Sequence, residues 1–258
     1  MGILENKRIV VTGVLTDDSL AFPIARLAIE EGAQVVLTGA GRGLPLTRRA
    51  ARRLPGEPDV LELDVTVPDQ AGAVASELRA RWGSIDGLVH AIGYAPARCL
   101  GGDILLADWA DVSTAIEIST FSLKLLAAAF APLLGDAPDG GSIVGLDFDS
   151  TVAWPAYDWM GVAKAALESL TRYLARDLGP RNIRVNLIAA GPVRTMAAKS
   201  IPGFARFEEV WDGRAPLGWD VHDPEPVAKT AVALLSGYLP KTTGEMIHVD
   251  GGFHATGA

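Results

Sequence analysis

The chain has 258 residues, 49% of them hydrophobic and 21% charged, which suits one large folded domain and argues against intrinsic disorder. A net charge of −8 argues against nucleic acid or an anionic membrane surface as a partner. Cys99 is the single cysteine, so no internal disulfide can form, and we expect a reducing, cytoplasmic compartment. The first residues lack the apolar stretch of a secretory signal. The most apolar helical run, over 123–134, contains Lys124 and Pro132 and is too short to cross a bilayer, so we expect no membrane association.

Short β-branched segments alternate with longer amphipathic segments along the whole chain. Seven strands are predicted, over residues 8–13, 34–39, 60–64, 87–92, 142–146, 183–188 and 246–249. Helices are predicted between them, near residues 20–31, 44–54, 68–82, 111–134, 155–178 and 224–236. Several strands are continuously apolar, as strands covered on both faces are, and this alternation gives right-handed βαβ crossovers. We therefore predict an α/β fold of the Rossmann type, with a doubly wound, seven-stranded parallel sheet and helices on both faces.

Nothing in the sequence divides the chain into separate domains. There is no repeat, low-complexity tract or linker, so residues 1–258 are predicted to form a single domain. The least regular part is the segment 196–223, which contains two prolines and three glycines. Loops of this length in compact domains are often functional, so we favour a substrate-facing segment over a surface excursion with its own short helix.

The predicted carboxyl ends of the first four strands carry residues suited to a dinucleotide. Gly13 follows the first strand and Ser19 begins the next helix, where a tight turn and free N–H groups can bind a pyrophosphate. However, the usual Gly-x-Gly-x-x-Gly is absent, and both residues are ordinary at such a connection. Asp64 could accept a hydrogen bond from adenine or cap the next helix, and Gly93 could admit a cofactor or form a turn. Because the second strand is followed by Arg42 and by no acid, these residues leave NADH and NADPH open.

A tyrosine and a lysine follow the fifth predicted strand. Tyr157 and Lys164 are seven residues apart, about two helical turns, and can share one helix face. A phenol beside an ammonium group could stabilise an oxyanion next to a nicotinamide. The same spacing also fits an amphipathic helix with a half-buried tyrosine and an extended lysine, and spacing alone favours this structural interpretation.

Motifs along the whole chain resemble one known family, the bacterial enoyl-acyl carrier protein reductases, a divergent branch of the short-chain dehydrogenases/reductases. They are Gly13-x5-Ser19-Leu20-Ala21-Phe22, LELDV at 61–65, HAIGYAP at 90–96, Tyr157-x6-Lys164, AGPVRT at 190–195 and DGG at 250–252. The Tyr-x6-Lys spacing is the specific element, because the main branch has Tyr-x3-Lys preceded by a serine donor. Segments 154–160 and 214–219 are similar to the actinobacterial members in particular.

The resemblance implies hydride transfer from NADH to a trans-2-enoyl thioester, carried by acyl carrier protein or CoA, in fatty acid biosynthesis; NADPH is not excluded. Lys164 would bind the nicotinamide ribose, Tyr157 would stabilise the enolate oxygen and Phe148 would orient the substrate. Ala95, Tyr157 and Met160 would contact the substrate, and 196–210 would form its loop. Cofactor contacts would come from Gly13, Ser19, Leu20, Asp64, Val65, Ile92, Gly93, Lys164, Val193, Arg194 and Thr195. Family members are typically homotetramers.

Three departures from the family carry expectations of their own. Ala91 replaces a common serine, and we expect cofactor binding weaker by about 0.5–1.5 kcal/mol, the contribution of one neutral hydrogen bond. Ala40 stands where some relatives have an aromatic residue that stacks on adenine. The substrate loop is shorter than in mycobacterial relatives that reduce very long acyl chains, so we expect a preference for short to medium chains.

An acidic carrier protein would need a local basic surface on a chain of net charge −8. The candidates are Lys199, Arg206 and the arginines of 48–53. Two other functions remain open at this point: a main-branch enzyme acting on a carbonyl, and a non-catalytic dinucleotide-binding sensor. The first is disfavoured because no serine precedes a Tyr-x3-Lys, and the second because Phe148, Tyr157 and Lys164 are all present.

Overall fold

The computed structural model describes residues 2–196, 198, 201, 202 and 204–257, without the side chains of Arg206, Glu208 and Asp212. The strands are β1 (Arg8–Val11), β2 (Gln34–Gly39), β3 (Val60–Glu62), β4 (Gly87–His90), β5 (Gly141–Asp147), β6 (Ile183–Ala190) and β7 (Met246–Val249). The α-helices are α1 (Ala21–Glu30), α2 (Leu44–Ala51), α3 (Gln70–Trp82), α4 (Trp109–Ile116), α5 (Ser122–Gly135), α6 (Asp158–Leu178), α7 (Ala205–Arg214) and α8 (Glu225–Leu235).

The seven strands form one parallel sheet. Their order is β3-β2-β1-β4-β5-β6-β7, and every neighbouring pair is parallel. The order reverses between β1 and β4, and ligands of open α/β sheets bind in the crevice outside the carboxyl ends of the strands at such a point. The predicted Rossmann-type sheet is confirmed, and its reversal defines where a site is expected.

Helices cover both faces of the sheet, because successive side chains of each strand point in opposite directions. In β1, Ile9 belongs to a core cluster with α1 and α8, whereas Val10 belongs to one with α3, α5 and α6. Both residues are fully buried, at 1% and 0% exposure. This two-sided burial explains the continuously apolar strands.

One long helix corrects an expectation about length. Residues Trp109–Gly135 form a continuous 27-residue helix, which by length and composition could cross a bilayer. The sequence predicts that Lys124 and Pro132 interrupt the apolar run 123–134, whereas in the structure α5 continues through both residues. In the fold, 56% of the most apolar 18-residue stretch of this helix is buried, and α5 packs against α3 and α6. It therefore serves as a core helix.

Candidate active site

The connection after β1 lies at the reversal of the strand order. Gly13 has a φ of +81°, and a Cβ on it would lie 2.0 Å from the carbonyl oxygen of Ala91. A residue without a side chain is therefore required for the two loops to approach so closely. The contact brings Gly13 beside the residues that follow β4, the half-buried Ile92 and the exposed Gly93.

Hydroxyl groups organise the same loop. The Oγ of Ser19 accepts hydrogen bonds from the backbone N–H groups of Leu15, at 3.1 Å, and Thr16, at 3.0 Å. The Thr16 Oγ1 is buried and has no hydrogen-bond partner in the described part of the chain. Leu20 then takes the N-cap position of α1, where no side chain caps the helix, and the helix dipole there favours an anion. These residues fit a dinucleotide phosphate.

The turn after β3 has a definite structural role. The Asp64 Oδ1 accepts hydrogen bonds from the Thr66 backbone N–H at 2.9 Å and from the Thr66 hydroxyl at 2.7 Å. Asp64 therefore shapes its own turn, and adenine recognition by this residue stays a prediction. Val65 beside it is half-buried, and Arg42, after β2, is exposed.

The segment after β6 reaches the same edge of the sheet. Val193 is buried, whereas Arg194 is exposed and its backbone N–H donates to the Val221 carbonyl at 2.8 Å. Thr195 Oγ1 accepts a hydrogen bond from the Ala198 N–H at 3.0 Å. The three predicted cofactor residues thus lie where the segment 196–223 leaves the sheet.

The side chains of Tyr157 and Lys164 both lie beside the end of β5. The Lys164 Nζ donates to the Leu146 carbonyl at 2.8 Å and lies 3.7 Å from the Asp147 Oδ1. The ring of Tyr157 meets the edge of the Phe148 ring, with centroids 5.2 Å apart. The last two residues of β5, Leu146 and Asp147, and the residue after it, Phe148, therefore bring the lysine and the tyrosine to one place.

Burial tunes the protonation of these groups. Burial is the main cause that raises the pKa of Tyr157, with the Asp147 charge adding to it, so the phenol stays protonated and can donate. Burial also lowers the pKa of Lys164, against the opposing effect of Asp147 and Glu168. The Tyr157 hydroxyl has no hydrogen-bond partner among the described residues, which leaves it available to a ligand.

A buried histidine lies behind the lysine. The pKa of His90 is lowered to about 3, mainly by burial and then by the charge of Lys164, so the ring is neutral at ordinary pH. Its Nε2 lies 2.7 Å from the Ser122 Oγ, whose hydroxyl donates to the Ile118 carbonyl. His90 thus connects the end of β4 to α5.

The predicted substrate residues share one apolar cluster. Tyr157, Met160 and Ala163 are buried together, and Ala95 and Phe148 pack against them. Met160 is 9% exposed, one helical turn after Tyr157. The structure therefore brings together the residues that the resemblance assigns to the substrate, which are Tyr157, Phe148, Ala95 and Met160.

Tyr157 is held by a strained backbone. The helix predicted from residue 155 begins at Asp158, so Tyr157 takes its N-cap position. Its two neighbours, Ala156 and Asp158, have φ values of +60° and +38°, which are unfavourable for residues with a Cβ. The Gly101 N–H donates to the Ala156 carbonyl at 3.1 Å, and the Gly102 N–H donates to Asp158 Oδ2 at 2.6 Å. This support fixes the tyrosine.

A π-helical turn supports the site from the other side. It spans Glu117–Phe121, between α4 and α5. Ser119 clamps the loop after β4, since its Oγ accepts from the Tyr94 N–H at 2.9 Å and donates to the Tyr94 carbonyl at 2.8 Å. The Thr120 hydroxyl donates to the Ala163 carbonyl at 2.7 Å, next to Lys164. Sequence reasoning missed both residues, because a π-turn has no sequence pattern that separates it from an α-helix.

Aromatic side chains close the space beyond Phe148. Its ring lies 5.1 Å from that of Trp154, 5.8 Å from Phe207 and 5.9 Å from Trp211. Phe207 and Trp211 belong to α7, so the irregular segment 196–223 does contain its own helix and also faces the predicted substrate site. Of the proposed carrier-docking residues, Lys199 and the side chain of Arg206 lie outside the described residues.

Comparison with known proteins decides the family. A profile described as "Enoyl-(Acyl carrier protein) reductase" matches residues 13–254. An enoyl-[acyl-carrier-protein] reductase [NADH] of Mycolicibacterium smegmatis is 49% identical, over 97% of both chains. The protein of the same name from Mycobacterium avium is 46% identical over 97% of both chains, and that of Aquifex aeolicus is 38% identical over 100% of this chain and 94% of its own.

The chain belongs to the enoyl-acyl carrier protein reductase family.

Membership of this reductase family confirms the resemblance, including its actinobacterial character, since identity is higher to the two mycobacterial proteins than to the Aquifex protein. It also argues against a main-branch enzyme that acts on a carbonyl, an alternative which the Tyr-x6-Lys spacing already disfavoured. The roles of the individual residues stay predictions.

Proposed function

We propose that this protein is an NADH-dependent enoyl-acyl carrier protein reductase that reduces trans-2-enoyl thioesters in type II fatty acid biosynthesis. The observation that carries the proposal is the convergence at the end of β5, where Leu146 holds the Lys164 ammonium and Phe148 holds the Tyr157 ring. Relatives up to 49% identical over nearly their whole length bear the name of this activity.

The residues divide into those that hold the cofactor and those that act on the substrate. Bound NADH supplies the hydride that adds to the β-carbon of the enoyl thioester. Gly13 and Ser19 shape the phosphate loop, and Lys164 donates to the nicotinamide ribose hydroxyls. The Tyr157 phenol donates a hydrogen bond to the thioester carbonyl oxygen and stabilises the negative charge that develops there. Phe148 and Met160 orient the acyl group against it.

NADH is the proposed cofactor, with NADPH as the weaker alternative. The mycobacterial and Aquifex relatives are named for NADH, whereas a Staphylococcus aureus relative, 38% identical over 98% of both chains, is named for NADPH. In this chain the exposed Arg42 after β2 would favour a 2′-phosphate by charge. Steady-state kinetics with both nucleotides measures the preference directly.

The decisive experiment replaces the two converging side chains. Tyr157→Phe should lower kcat about 100-fold with little change in NADH affinity, because it removes one donor to the developing oxyanion. Lys164→Ala should raise the Kd for NADH about tenfold or more, since a hydrogen bond from a charged group contributes about 1.5–3 kcal/mol. Oxidation of NADH with a crotonyl thioester and fluorescence titration of NADH give the two readings.

Tyr173→Phe is the matched control, because Tyr173 is exposed on the same helix, α6, and should retain full activity. A 3-ketoacyl thioester separates the carbonyl-reducing alternative from the proposal. If the wild-type protein binds NADH but turns over neither thioester, it is a sensor, and the proposal is wrong.

We also propose that the protein is a cytoplasmic homotetramer. Large apolar side chains stand exposed at the start of α4 and just before it: Leu105 is 90%, Leu106 65% and Trp109 77% exposed. Exposed apolar patches of this kind mark interfaces. Light scattering after size-exclusion chromatography should show four copies, and Trp109→Ser should dissociate them, whereas Leu217→Ser, at a separate exposed leucine, should not. A wild-type monomer would overturn this proposal.

A further inference from the structure

Asp147 is a buried carboxylate beside the lysine of the site. It ends β5, where it pairs with Ala189 of β6, and its side chain has 0% exposure. Neither carboxyl oxygen has a hydrogen-bond partner in the described part of the chain. The Lys164 ammonium, 3.7 Å from Oδ1, is the basic group paired with it.

Packing alone does not account for an acid at this position. Burying a carboxylate without hydrogen bonds is strongly unfavourable, and an apolar side chain or an amide would fill the same space at lower free-energy cost. Asp147 ends a strand in which residues 141–145 are all buried. An acid retained in such a place therefore indicates a function for its charge.

The lysine supplies the reason for that charge. The Lys164 side chain is only 10% exposed, so its ammonium is also removed from water. One of its three N–H bonds is donated to the Leu146 carbonyl, and the others remain for a ligand. A buried lysine without a counter-charge loses its proton readily and then cannot make charge-assisted hydrogen bonds.

We propose that Asp147 is a positioning residue that keeps the Lys164 ammonium charged and directed toward the ribose of NADH. This inference rests on the proposed function only in naming the ligand of Lys164. Asp147 touches neither substrate nor cofactor in the proposal, and acts through the lysine.

The other titratable groups around the pair come from each packed element. His90 at the end of β4 is neutral, Tyr157 at the start of α6 is protonated, Asp149 is paired with His248, and Glu168 of α6 accepts from the Ser150 N–H at 3.0 Å. Among them Asp147 is the charged group in direct contact with the Lys164 ammonium. From farther away, the charge of Glu168 affects the pKa of both Asp147 and Lys164, and the charge of Asp149 affects that of Asp147.

The pair gives the effect of Asp147 a definite pH dependence. Burial raises the pKa of Asp147 to about 7, against the opposing charge of Lys164. Below that pH the Asp147 carboxyl is neutral in the free protein, so an amide in its place changes the affinity for NADH little. Above it the carboxylate raises the pKa of Lys164, and an amide lets the lysine lose its proton at lower pH.

The test compares Asp147→Asn with the wild type by titration of NADH binding from about pH 6 to about pH 9. The ratio of the two Kd values should stay within about twofold at the acid end and rise several-fold at the alkaline end, because the lysine of the variant loses its proton there and a charge-assisted hydrogen bond to the cofactor is lost. Adding Lys164→Arg to Asp147→Asn should abolish the rise of the Kd ratio with pH, because a guanidinium stays charged throughout this range.

Asp86→Asn is the matched control. Asp86 is also buried and lies 3.3 Å from a lysine, Lys7, but it precedes β4 at the opposite, amino edge of the sheet. Its variant should lose stability without changing the pH dependence of NADH binding. Asp147→Ser is measured in parallel, so that the test does not depend on the folding of one variant.

A Kd ratio that is the same at every pH shows a packing role and overturns the inference. Turnover of a crotonyl thioester by the wild type is measured separately. Its absence contradicts the proposed function, while the NADH titrations still decide the role of Asp147.

Discussion

Gly13 shows how one residue fixes the geometry of the cofactor loop. Its positive φ and its contact with the Ala91 carbonyl leave no room for a side chain. Ser19 also acts on the loop, since its oxygen holds two backbone N–H groups while its own proton remains for a ligand. From the sequence, Ser19 could either cap the helix or donate a hydrogen bond to a phosphate. The structure shows a third role, in which Ser19 organises the loop.

Gly13→Ala tests whether the close contact of Gly13 with the Ala91 carbonyl is needed for NADH binding. The added methyl requires a left-handed backbone, which costs about 1–2 kcal/mol, and it also displaces the loop after β4. We expect a lower Tm and a Kd for NADH raised more than about tenfold. Gly56→Ala is the control, because Gly56 has a φ of +72° with nothing within 4 Å of the added Cβ. An unchanged Kd in Gly13→Ala would remove this loop from the cofactor site.

At the level of the elements, α6 and α7 both contribute side chains to the predicted substrate site. The start of α6 presents Tyr157 from a strained backbone, and α7 adds Phe207 and Trp211 to the aromatic cluster around Phe148. A long acyl chain that leaves Phe148 in the direction of this cluster meets packed rings. The expected preference for short to medium chains stays a prediction, and the packed rings around Phe148 support it.

Phe207→Leu tests whether the aromatic cluster around Phe148 limits the length of the acyl chain. The change keeps an apolar side chain but removes a ring from the cluster, at a stability cost below about 1.5 kcal/mol. We expect kcat/KM for the longer members of a ladder of enoyl thioesters to rise several-fold relative to the crotonyl member. Phe121→Leu, at a half-exposed position on the π-turn, should leave the ratio unchanged. Equal turnover of very long chains by the wild type would contradict the preference itself.

For the whole molecule, the net charge of −8 opposes the approach of an acidic carrier protein. Productive docking therefore requires a local basic surface, and Lys199 with Arg206 in the segment 196–223 remains our prediction. These two side chains lie outside the described residues, so the prediction depends on sequence and on the position of the segment beside the site.

Charge reversal tests the docking surface. Lys199→Glu with Arg206→Glu should raise KM about three- to tenfold for the carrier-linked substrate, because exposed ion pairs contribute about 0.2–1 kcal/mol each. KM for the CoA-linked substrate should not change. Lys229→Glu with Lys241→Glu makes the same change in charge at exposed positions elsewhere. A parallel response of both substrates would show a disturbed site and no docking surface.

The fold class and the two-sided covering of the sheet could be predicted from the sequence, whereas Tyr157 and Lys164 were singled out only through the resemblance to a family. Strand and helix periodicities are local, and a fixed spacing of seven residues is visible in one dimension. The sequence did not indicate that Tyr157 precedes the helix, that the helix predicted over 111–134 contains a π-turn, or that Asp64 shapes its own turn.

The groups that surround Lys164 could not be predicted from the sequence, because they come together only when the elements pack. Asp147 ends one strand and Lys164 lies in the next helix, seventeen positions later, so their contact depends on how that crossover packs on the sheet. The same holds for Thr120 and Ala163, and for Gly13 and Ala91, which meet across elements far apart in the chain. Burial, and with it the charge state of these groups, is a property of the assembled neighbours and has no local pattern in the sequence.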